Sequence, residues 1–449
     1  MRRIGVLGAI ACLGAVAACA PKPLILKGPR FDLRTPLNQV MAAAATPDAA
    51  SPNDTPANRT VPIRLPAPVA NADWTERMGG AQHHMTQPAL GATLSAVWEA
   101  PIGQGDDKRH AITADPVVAG GRIFTLDSRA KVTATSTAGA TLWSVDLTPA
   151  TDHSDDASGG GLAFGDGKLF VASGFGELVA IDPGTGAVIW RQHFHAPVTG
   201  TPTVEGGVVY VVARNSSAWA IDAKDGKIRW QLDGSTSAAG VTGGAGPALS
   251  ARFALLPFPS GQLVGALKPG GSQVWSTTVA GERLGQGYAS MNDITGDPVV
   301  VGDTVYVGNA SGKVMALSLN TGDKIWSSDR GVVSPVWPEG GSVFLVSDQA
   351  KLVRLDAASG DPIWEVPLPY YVPVKKAKNR RDIFAHYGPV MAGNHLIVTS
   401  SDGQARMFDP ASGAQTGAVQ LGAGAATDPV VAGRTLYVVT RDGKLRAFR

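Results

Sequence analysis

The sequence has few residues suited to covalent or redox chemistry. Only two of its 449 residues are cysteine, Cys12 and Cys19, and no spacing of cysteine and histidine suits zinc. No glycine-rich phosphate loop follows a strand and opens a helix, and no nucleophile elbow occurs. The sequence therefore predicts no catalytic residue, no metal site and no cofactor.

The chain also lacks an excess of charge of either sign. Its formal net charge is +2, and without Arg2 and Arg3 it has 37 basic and 37 acidic residues. Binding of nucleic acid requires a concentrated positive face, so the composition argues against that class of partner. One basic run, at 374–382, is typical of a solvated loop, and contact with anionic lipid or a partner is the alternative.

The N terminus has the pattern of an export signal. A positive head precedes an apolar run over 4–18, which is too short to span a membrane as a stable helix. Residues 16–19 resemble the bacterial lipobox, which implies a signal peptide over 1–18 and diacylglycerol on the sulfur of Cys19. An ordinary secretory signal with an incidental cysteine is the alternative. Ala20 is not aspartate, and by resemblance to Gram-negative lipoprotein sorting this implies the outer membrane.

Residues 19–91 differ in composition from the rest of the chain. Proline, alanine, asparagine and threonine dominate, and apolar alternation is absent. This composition predicts a lipid-anchored and largely disordered tether. His83 and His84 lie within it without other candidate ligands nearby, so we interpret them as a solvated pair.

A hairpin unit recurs through residues 92–449. In one copy, strand 178–181 alternates toward two faces, 182–186 has turn chemistry, and a second strand carries a tryptophan. The copies repeat every 40 to 50 residues or so, which is the period of four-stranded propeller blades. The tryptophans of these copies are Trp143, Trp190, Trp230, Trp275, Trp326 and Trp364. A further copy has Gly417 at this position.

A second hairpin, opened by a proline in most copies, precedes each of these units, and two hairpins make one blade. Seven complete copies occur, and 429–448 supplies three strands of another. The missing strand is available at 94–100, which carries Trp98 one period before Trp143. The sequence therefore predicts an all-β, eight-bladed propeller of four-stranded antiparallel blades. Its last blade is closed by the N-terminal strand, which leaves the ring no open end.

The hairpin motif at 180–190 resembles the tryptophan-docking repeat of the pyrroloquinoline quinone (PQQ) dehydrogenases. In those enzymes an eight-bladed ring carries a quinone and a calcium ion on its axis, against a vicinal cysteine pair. This chain has no adjacent cysteines and no acidic set recognisable as a calcium site. The resemblance implies a shared scaffold without the chemistry, and a PQQ-dependent oxidoreductase stays as an alternative.

A lipobox, a single ring of this size and a missing cofactor site together resemble the BamB family of the outer-membrane β-barrel assembly machinery. The resemblance implies a non-catalytic scaffold, facing the periplasm, that docks on a POTRA domain of the barrel-inserting subunit. It also implies help in delivering and inserting nascent outer-membrane proteins. A stand-alone periplasmic propeller that binds peptide or polysaccharide is the other alternative.

The family resemblance also places the partner contacts. They map onto one loop that precedes a strand-opening proline and, more loosely, onto a loop one blade earlier. The residues are Asn292, Asp293, Ile294 and Thr295 in the first loop, and Val241 and Thr242 in the second. The family's arginine is absent from the second loop. For Asp293, capping of a turn is the alternative role.

Overall fold

The computed structural model describes residues 58–237, 243–281, 283, 291–376 and 380–449. The predicted signal peptide, Cys19 and the first part of the predicted tether lie outside the described residues. The same holds for Val241 and Thr242. Within the described ranges, no helix is long and apolar enough to cross a membrane.

The described chain forms eight four-stranded antiparallel sheets, which are the blades I to VIII of a propeller. The outer strand of blade VIII comes first in the chain as β1 (Ala96–Pro101). Blade I contains β2 (Val117–Ala119), β3 (Arg122–Leu126), β4 (Lys131–Ser136) and β5 (Thr141–Asp146). Blade II contains β6 (Gly160–Gly165), β7 (Lys168–Ser173), β8 (Glu177–Ile181) and β9 (Val188–His193). Blade III contains β10 (Thr203–Glu205), β11 (Val208–Val212), β12 (Ser217–Asp222) and β13 (Ile228–Asp233).

The remaining blades repeat this order from the inner to the outer strand. Blade IV contains β14 (Ala248–Leu249), β15 (Phe253–Pro257), β16 (Gln262–Leu267) and β17 (Gln273–Thr278). Blade V contains β18 (Ile294–Val301), β19 (Thr304–Asn309), β20 (Lys313–Ser318) and β21 (Lys324–Ser328). Blade VI contains β22 (Trp337–Glu339), β23 (Ser342–Val346), β24 (Lys351–Asp356) and β25 (Pro362–Pro367). Blade VII contains β26 (His386–Ala392), β27 (His395–Ser400), β28 (Gln404–Phe408) and β29 (Gln415–Gln420), and blade VIII adds β30 (Val430–Ala432), β31 (Thr435–Thr440) and β32 (Lys444–Phe448) to β1.

The predicted fold class is confirmed, including the way in which the ring closes. Strand β1 pairs antiparallel with β32, with Ala96 opposite Phe448 and Pro101 opposite Lys444. The N–H of Ser95 also donates to the carbonyl of Arg449, at 2.6 Å. The first and the last strand of the ring therefore share one sheet, which closes the propeller.

Each tryptophan of the repeat joins its own blade to the next one. Trp190 Nε1 donates to the carbonyl of Ala223 in blade III, at 3.3 Å. Its ring covers Gly226, where φ is +77° and a Cβ would lie 2.8 Å from Trp190 Cε3. Glycine is required there by both the turn conformation and the indole. The seven joints of this kind are Trp98 with Gly139, Trp143 with Gly186, Trp190 with Gly226, Trp230 with Gly271, Trp275 with Gly322, Trp326 with Gly360 and Trp364 with Gly413.

The repeat that lacks a tryptophan is explained by ring closure. Blade VIII takes its outer strand from the N-terminal side of the chain, so no turn joins β32 to β1. Blade VIII therefore has no turn glycine for an indole to cover. In blade VII a Cβ on Gly417 would lie 2.6 Å from Met407 Cε, so methionine already fills the space. Each of the seven tryptophans therefore covers the glycine of one outer hairpin turn, and seven blades have such a turn.

The prediction of a largely disordered tether is wrong for its described part, residues 58–91. Trp74 is 2% exposed and Met78 is 5% exposed, and a single 3-10 turn, η1, spans Arg77–Gly79. The N–H of Trp74 donates to the carbonyl of Val118 at 2.7 Å, and the reverse bond measures 2.9 Å. The segment shows no apolar alternation because it forms no regular strand: its backbone bonds mostly to separate blades of the ring, and within the segment Val69 forms a single bridge with Pro88. The ring and the described segment belong to one compact unit.

Candidate functional site

The segment over residues 69–90, the hub segment, bonds to every blade of the ring. Hydrogen bonds link it to Val118 of blade I, Phe164 of blade II, Val204 of blade III, Leu249 of blade IV, Val300 of blade V, Pro338 of blade VI, Gly393 after β26 of blade VII and Gly433 after β30 of blade VIII. These contacts lie at the end of the ring that carries the turns of the inner hairpins, so the hub segment covers that end. We call this end the turn face. The opposite end carries the connections between blades, and we call it the connection face.

The side chain of Arg77 lies on the ring axis. Its Nη1 is 3.2 Å from Asp115 Oδ2, and its Nε is 3.1 Å from Asp297 Oδ2. Its Nη2 is 3.0 Å from Asp428 Oδ2. Blades I and V are four apart in a ring of eight, so Asp115 and Asp297 face each other across the axis. A guanidinium that forms ion pairs with both of them must lie between the two sides of the ring.

Neighbouring blades hold these carboxylates in place. Asp428 Oδ1 accepts hydrogen bonds from the hydroxyl of Ser334 at 2.7 Å and from the N–H of Gly388 at 2.5 Å. The N–H of Asp428 in turn donates to Asp115 Oδ1, at 3.0 Å. The acids therefore keep their positions through bonds that are separate from those to Arg77, and the hub is a connected polar network.

Burial changes the protonation of the hub. It raises the pKa of Glu76 to about 8, although Glu76 Oε1 accepts a bond of 2.6 Å from the N–H of Val204, which acts in the opposite direction. Burial also raises the pKa of Asp115, and the guanidinium of Arg77 opposes that change. Removing a carboxylate from water disfavours its charged form. Burial therefore favours the neutral form of Glu76, whereas at Asp115 it acts against the attraction of Arg77.

The expectation that His83 and His84 form a solvated pair is wrong. His83 is fully buried, and its Nδ1 lies 2.9 Å from the carbonyl of Pro298. Burial lowers the pKa of His83, which favours the neutral ring. Nε2 of His84 lies 3.2 Å from the carbonyl of Pro338 in the next blade. The two imidazoles thus bind adjacent blades to the hub segment.

The residues of the hub do not fit a quinone and a calcium ion. The three carboxylates that face the axis already surround the guanidinium of Arg77, which takes the place of a bound cation. Trp74, Met78 and His83 of the same segment are buried against the blades. Among the described residues, no group of three or more His, Cys, Asp or Glu is arranged to hold a metal. The axis is thus filled by the chain itself.

A shallow cleft opens on the connection face between blades III, IV and V. Apolar residues, among them Val212, Ala245 and Pro257, line it together with Arg214 and Asp293. Arg214 Nη1 lies 2.9 Å from Asp293 Oδ2, and their side chains are 23% and 4% exposed. In this pair the guanidinium is therefore partly exposed to solvent, whereas the carboxylate is buried. We call this surface the rim cleft.

The four described residues that were predicted to bind a partner lie together beside the rim cleft, but they differ in exposure. Asn292 is exposed, whereas Asp293 and Ile294 are each 3% exposed. The hydroxyl of Thr295 donates to the carbonyl of Val332 at 2.6 Å, so it is used inside the ring. Asn292 is the member of this set that a partner can reach most easily.

Sequence reasoning missed Arg214. It lies in the turn between β11 and β12, and not in the loop that lacks the family's arginine. A turn between the two middle strands of a blade opens on the same face as the connections between blades. Arg214 was therefore detectable as a basic residue in the middle turn of blade III, once the strand order was known.

The fold and the hub define the class of this protein: an eight-bladed β-propeller built from tryptophan-docked repeats, with its axis filled by its own N-terminal segment. A family model described as outer membrane protein assembly factor BamB matches residues 128–366 and 374–449. The chain belongs to this family, and the resemblance drawn from the sequence is confirmed.

Individual relatives agree with this assignment. The chain is 25% identical over 359 residues to the outer membrane protein assembly factor BamB of Yersinia pestis, covering 78% of this chain and 88% of the relative. It is also 25% identical over 359 residues to the Shewanella oneidensis protein of the same name, covering 78% and 87%.

Solved structures share the fold at lower identity. BamB from Moraxella catarrhalis has a TM-score of 0.65 and 19% identity, covering 80% of this chain and 100% of that one. Quinohemoprotein alcohol dehydrogenase from Comamonas testosteroni has a TM-score of 0.62 and 15% identity, covering 84% and 80%. These likenesses concern the scaffold, which an assembly factor and a redox enzyme share.

Proposed function

We propose that this chain is a non-catalytic scaffold lipoprotein of the machinery that assembles outer-membrane proteins. Lipid on Cys19 anchors it to the outer membrane, and the ring lies in the periplasm. The observation that carries the proposal is the hub: Arg77 and its segment fill the axis, so the ring works through its outer surface. Family membership supports the process, since relatives carry the name of outer membrane protein assembly factors.

The partner in this proposal is the barrel-inserting subunit, bound through one of its periplasmic POTRA domains. The rim cleft supplies apolar contact area and an arginine held in one orientation by Asp293. A fixed arginine beside apolar residues is the usual composition of an energetically important contact. Arg214 donates to a carboxylate or carbonyl of the partner, and Asn292 binds at the edge of the same surface.

Nascent outer-membrane proteins are the second kind of partner in the proposal. The outer strands lie at the edges of their sheets, and aliphatic side chains beside the docked tryptophans are exposed, as at Leu142, Ile189, Val274 and Ile325. Unfolded barrel strands have the backbone groups and the apolar alternation to add to such edges. A rigid ring would thereby keep them extended near the inserting subunit.

Co-purification from solubilised membranes tests the docking. We expect Asn292→Arg to lower the recovered barrel-inserting subunit at least tenfold, because a long charged side chain would fill the edge of the rim cleft. Asn320→Arg is the matched control, since Asn320 is an exposed asparagine in the turn between β20 and β21, on the turn face. Recovery equal to wild type with Asn292→Arg would remove the rim cleft from the docking surface.

The non-catalytic part of the proposal has its own test. The purified chain is supplied with PQQ and calcium, and reduction of an artificial electron acceptor by alcohols or sugars is followed. We expect no reduction above the protein-free rate, because Arg77 holds the position of an axial cation. Reduction that depends on both additions would instead make the chain an oxidoreductase.

A further inference from the structure

The connection from blade VI to blade VII forms a small hairpin that projects from the connection face. The N–H of Val372 donates to the carbonyl of Asp382 at 3.0 Å, and the N–H of Phe384 donates to the carbonyl of Tyr370 at 2.9 Å. Tyr371 also pairs with Ile383 as an antiparallel bridge. This paired backbone makes the base of the projection a fixed part of the ring.

The hairpin fastens to the ring through a buried histidine. His386 is 8% exposed, and its Nε2 lies 2.7 Å from the carbonyl of Pro369. Its Nδ1 lies 2.6 Å from the hydroxyl of Ser400 in blade VII. Residues just before and just after the hairpin are therefore tied together, and the projection has a defined direction.

The outer part of the hairpin combines positive charge with exposed apolar side chains. Its described cations are Lys375, Lys376, Arg380 and Arg381, and all four are exposed. Val374 is 42% exposed and Ile383 is 52% exposed. The guanidinium of Arg380 lies 5.2 Å from the ring centre of Tyr371. Cations beside aliphatic and aromatic side chains are the combination that binds the surface of an anionic bilayer.

The first described residues, Asn58 and Arg59, lie against the outer strand of the same blade, β25. Asn58 exchanges side-chain hydrogen bonds of 2.9 Å with the backbone of Glu365, and the N–H of Arg59 donates to the carbonyl of Ile363 at 3.0 Å. Followed from Arg59 back to Asn58, the chain runs along β25 toward its C-terminal end. The hairpin begins just beyond that end. Asn58 and the base of the basic hairpin thus lie toward the same end of β25.

We propose that the hairpin, through Val374, Lys375, Lys376, Arg380, Arg381 and Ile383, binds the surface of a bilayer that contains anionic phospholipid. The inference rests on the proposed function, because the acyl anchor holds the ring next to the membrane. An acyl anchor and a basic patch in one molecule act as two membrane signals, and the patch fixes which side of the ring faces the lipid. An acidic face of a protein partner is the competing occupant, and the test separates the two.

The test uses the acylated mature chain reconstituted in phosphatidylcholine vesicles, with and without phosphatidylglycerol. An environment-sensitive dye is attached at Val374→Cys, and a second preparation carries it at Asn320→Cys on the turn face. We expect a blue shift at position 374 in the vesicles that contain phosphatidylglycerol, and no shift at position 320. The wild-type chain is the labelling blank, and it takes up dye only if Cys19 lacks its lipid.

Two further measurements decide the cause of the shift. Reversal of the four cations to glutamate should abolish it, and so should raising the salt concentration from 0.1 M to about 1 M, which shortens the range of charge interactions. Equal spectra in both kinds of vesicle would overturn the proposal. So would an unchanged shift in the reversed variant, or loss of a co-purifying acidic protein from that variant without any lipid-dependent shift. The Asn292→Arg experiment stands apart, so docking can fail while this inference holds.

Discussion

Arg77 and Asp297 are joined by an ion pair of 3.1 Å on the axis of the ring, with side chains 12% and 1% exposed. The same guanidinium also forms an ion pair with Asp115, which faces Asp297 from the opposite blade. One side chain from outside the repeats therefore connects the two halves of the propeller. A buried charge that loses its partner destabilises a fold far more than an exposed one.

Replacing Arg77 should therefore weaken the whole ring. We expect Arg77→Met to lower the free energy of unfolding by about 3 to 5 kcal/mol, because it leaves buried carboxylates without a counter-charge. Arg441→Met is the control, since Arg441 pairs with Asp106 but its side chain is 54% exposed. An exposed pair contributes about 1 kcal/mol or less. Urea denaturation measures both losses, and equal losses would contradict the importance of the hub.

The acids of the hub should make stability fall as pH rises. Glu76 has its pKa raised from 4.5 to about 8, so between these values the folded chain holds a proton that the unfolded chain has released. The stabilisation is fully present below pH 4.5 and is lost as pH rises through 8. We expect Glu76→Gln to flatten this decline in melting temperature, since glutamine does not titrate. Parallel curves for wild type and variant would show that Glu76 is not the titrating group.

The tryptophan joints should be sensitive to one methyl group. At Gly322, φ is +73° and a Cβ would lie 2.5 Å from Trp275 Cε3. At Gly302, φ is +57° and nothing lies within 4 Å of the same position. Both alanine variants meet the same backbone strain, so their difference isolates the clash with the indole. We expect Gly322→Ala to cost about 1 to 3 kcal/mol more than Gly302→Ala in thermal unfolding.

Restoring the missing tryptophan should not stabilise the ring. We expect Gly417→Trp to destabilise, because Met407 already occupies the space and blade VIII offers no outer turn to cover. In contrast, Trp364→Ala should lower the free energy of unfolding by about 3 to 5 kcal/mol, because it leaves a cavity where the indole packs against the next blade. A Gly417→Trp variant that melts above wild type would mean that Gly417 is a defect of the repeat and not a consequence of closure.

The sequence predicted the ring because the repeat is local. The turn glycine and Trp190 lie within one hairpin, and their spacing recurs, so blade number and closure by the strand of Trp98 followed from counting. The hub segment was missed because its contacts are remote: Arg77 bonds Asp428 across 351 residues of sequence. One signal was present, since Asp115, Asp297 and Asp428 each precede a proline in or next to the inner strand of a blade.

Prediction of the rim cleft from the sequence is limited in a similar way. The loop that contains Asp293 was predicted to bind a partner, but sequence does not tell that its carboxylate is buried against Arg214. Arg214 lies 79 residues earlier in the chain, in another blade. Packing between blades decides which of the two charged side chains faces solvent. That packing produces no recognisable pattern in the sequence of either loop.

The most direct test of the scaffold account is photo-crosslinking in intact cell envelopes. A photo-crosslinking amino acid replaces Asn292 on the connection face or Asn320 on the turn face, and the attached protein is identified by mass spectrometry. The account predicts that position 292 crosslinks to the barrel-inserting subunit and that position 320 does not. Crosslinking of that subunit from position 320 alone, or from neither position, would contradict it.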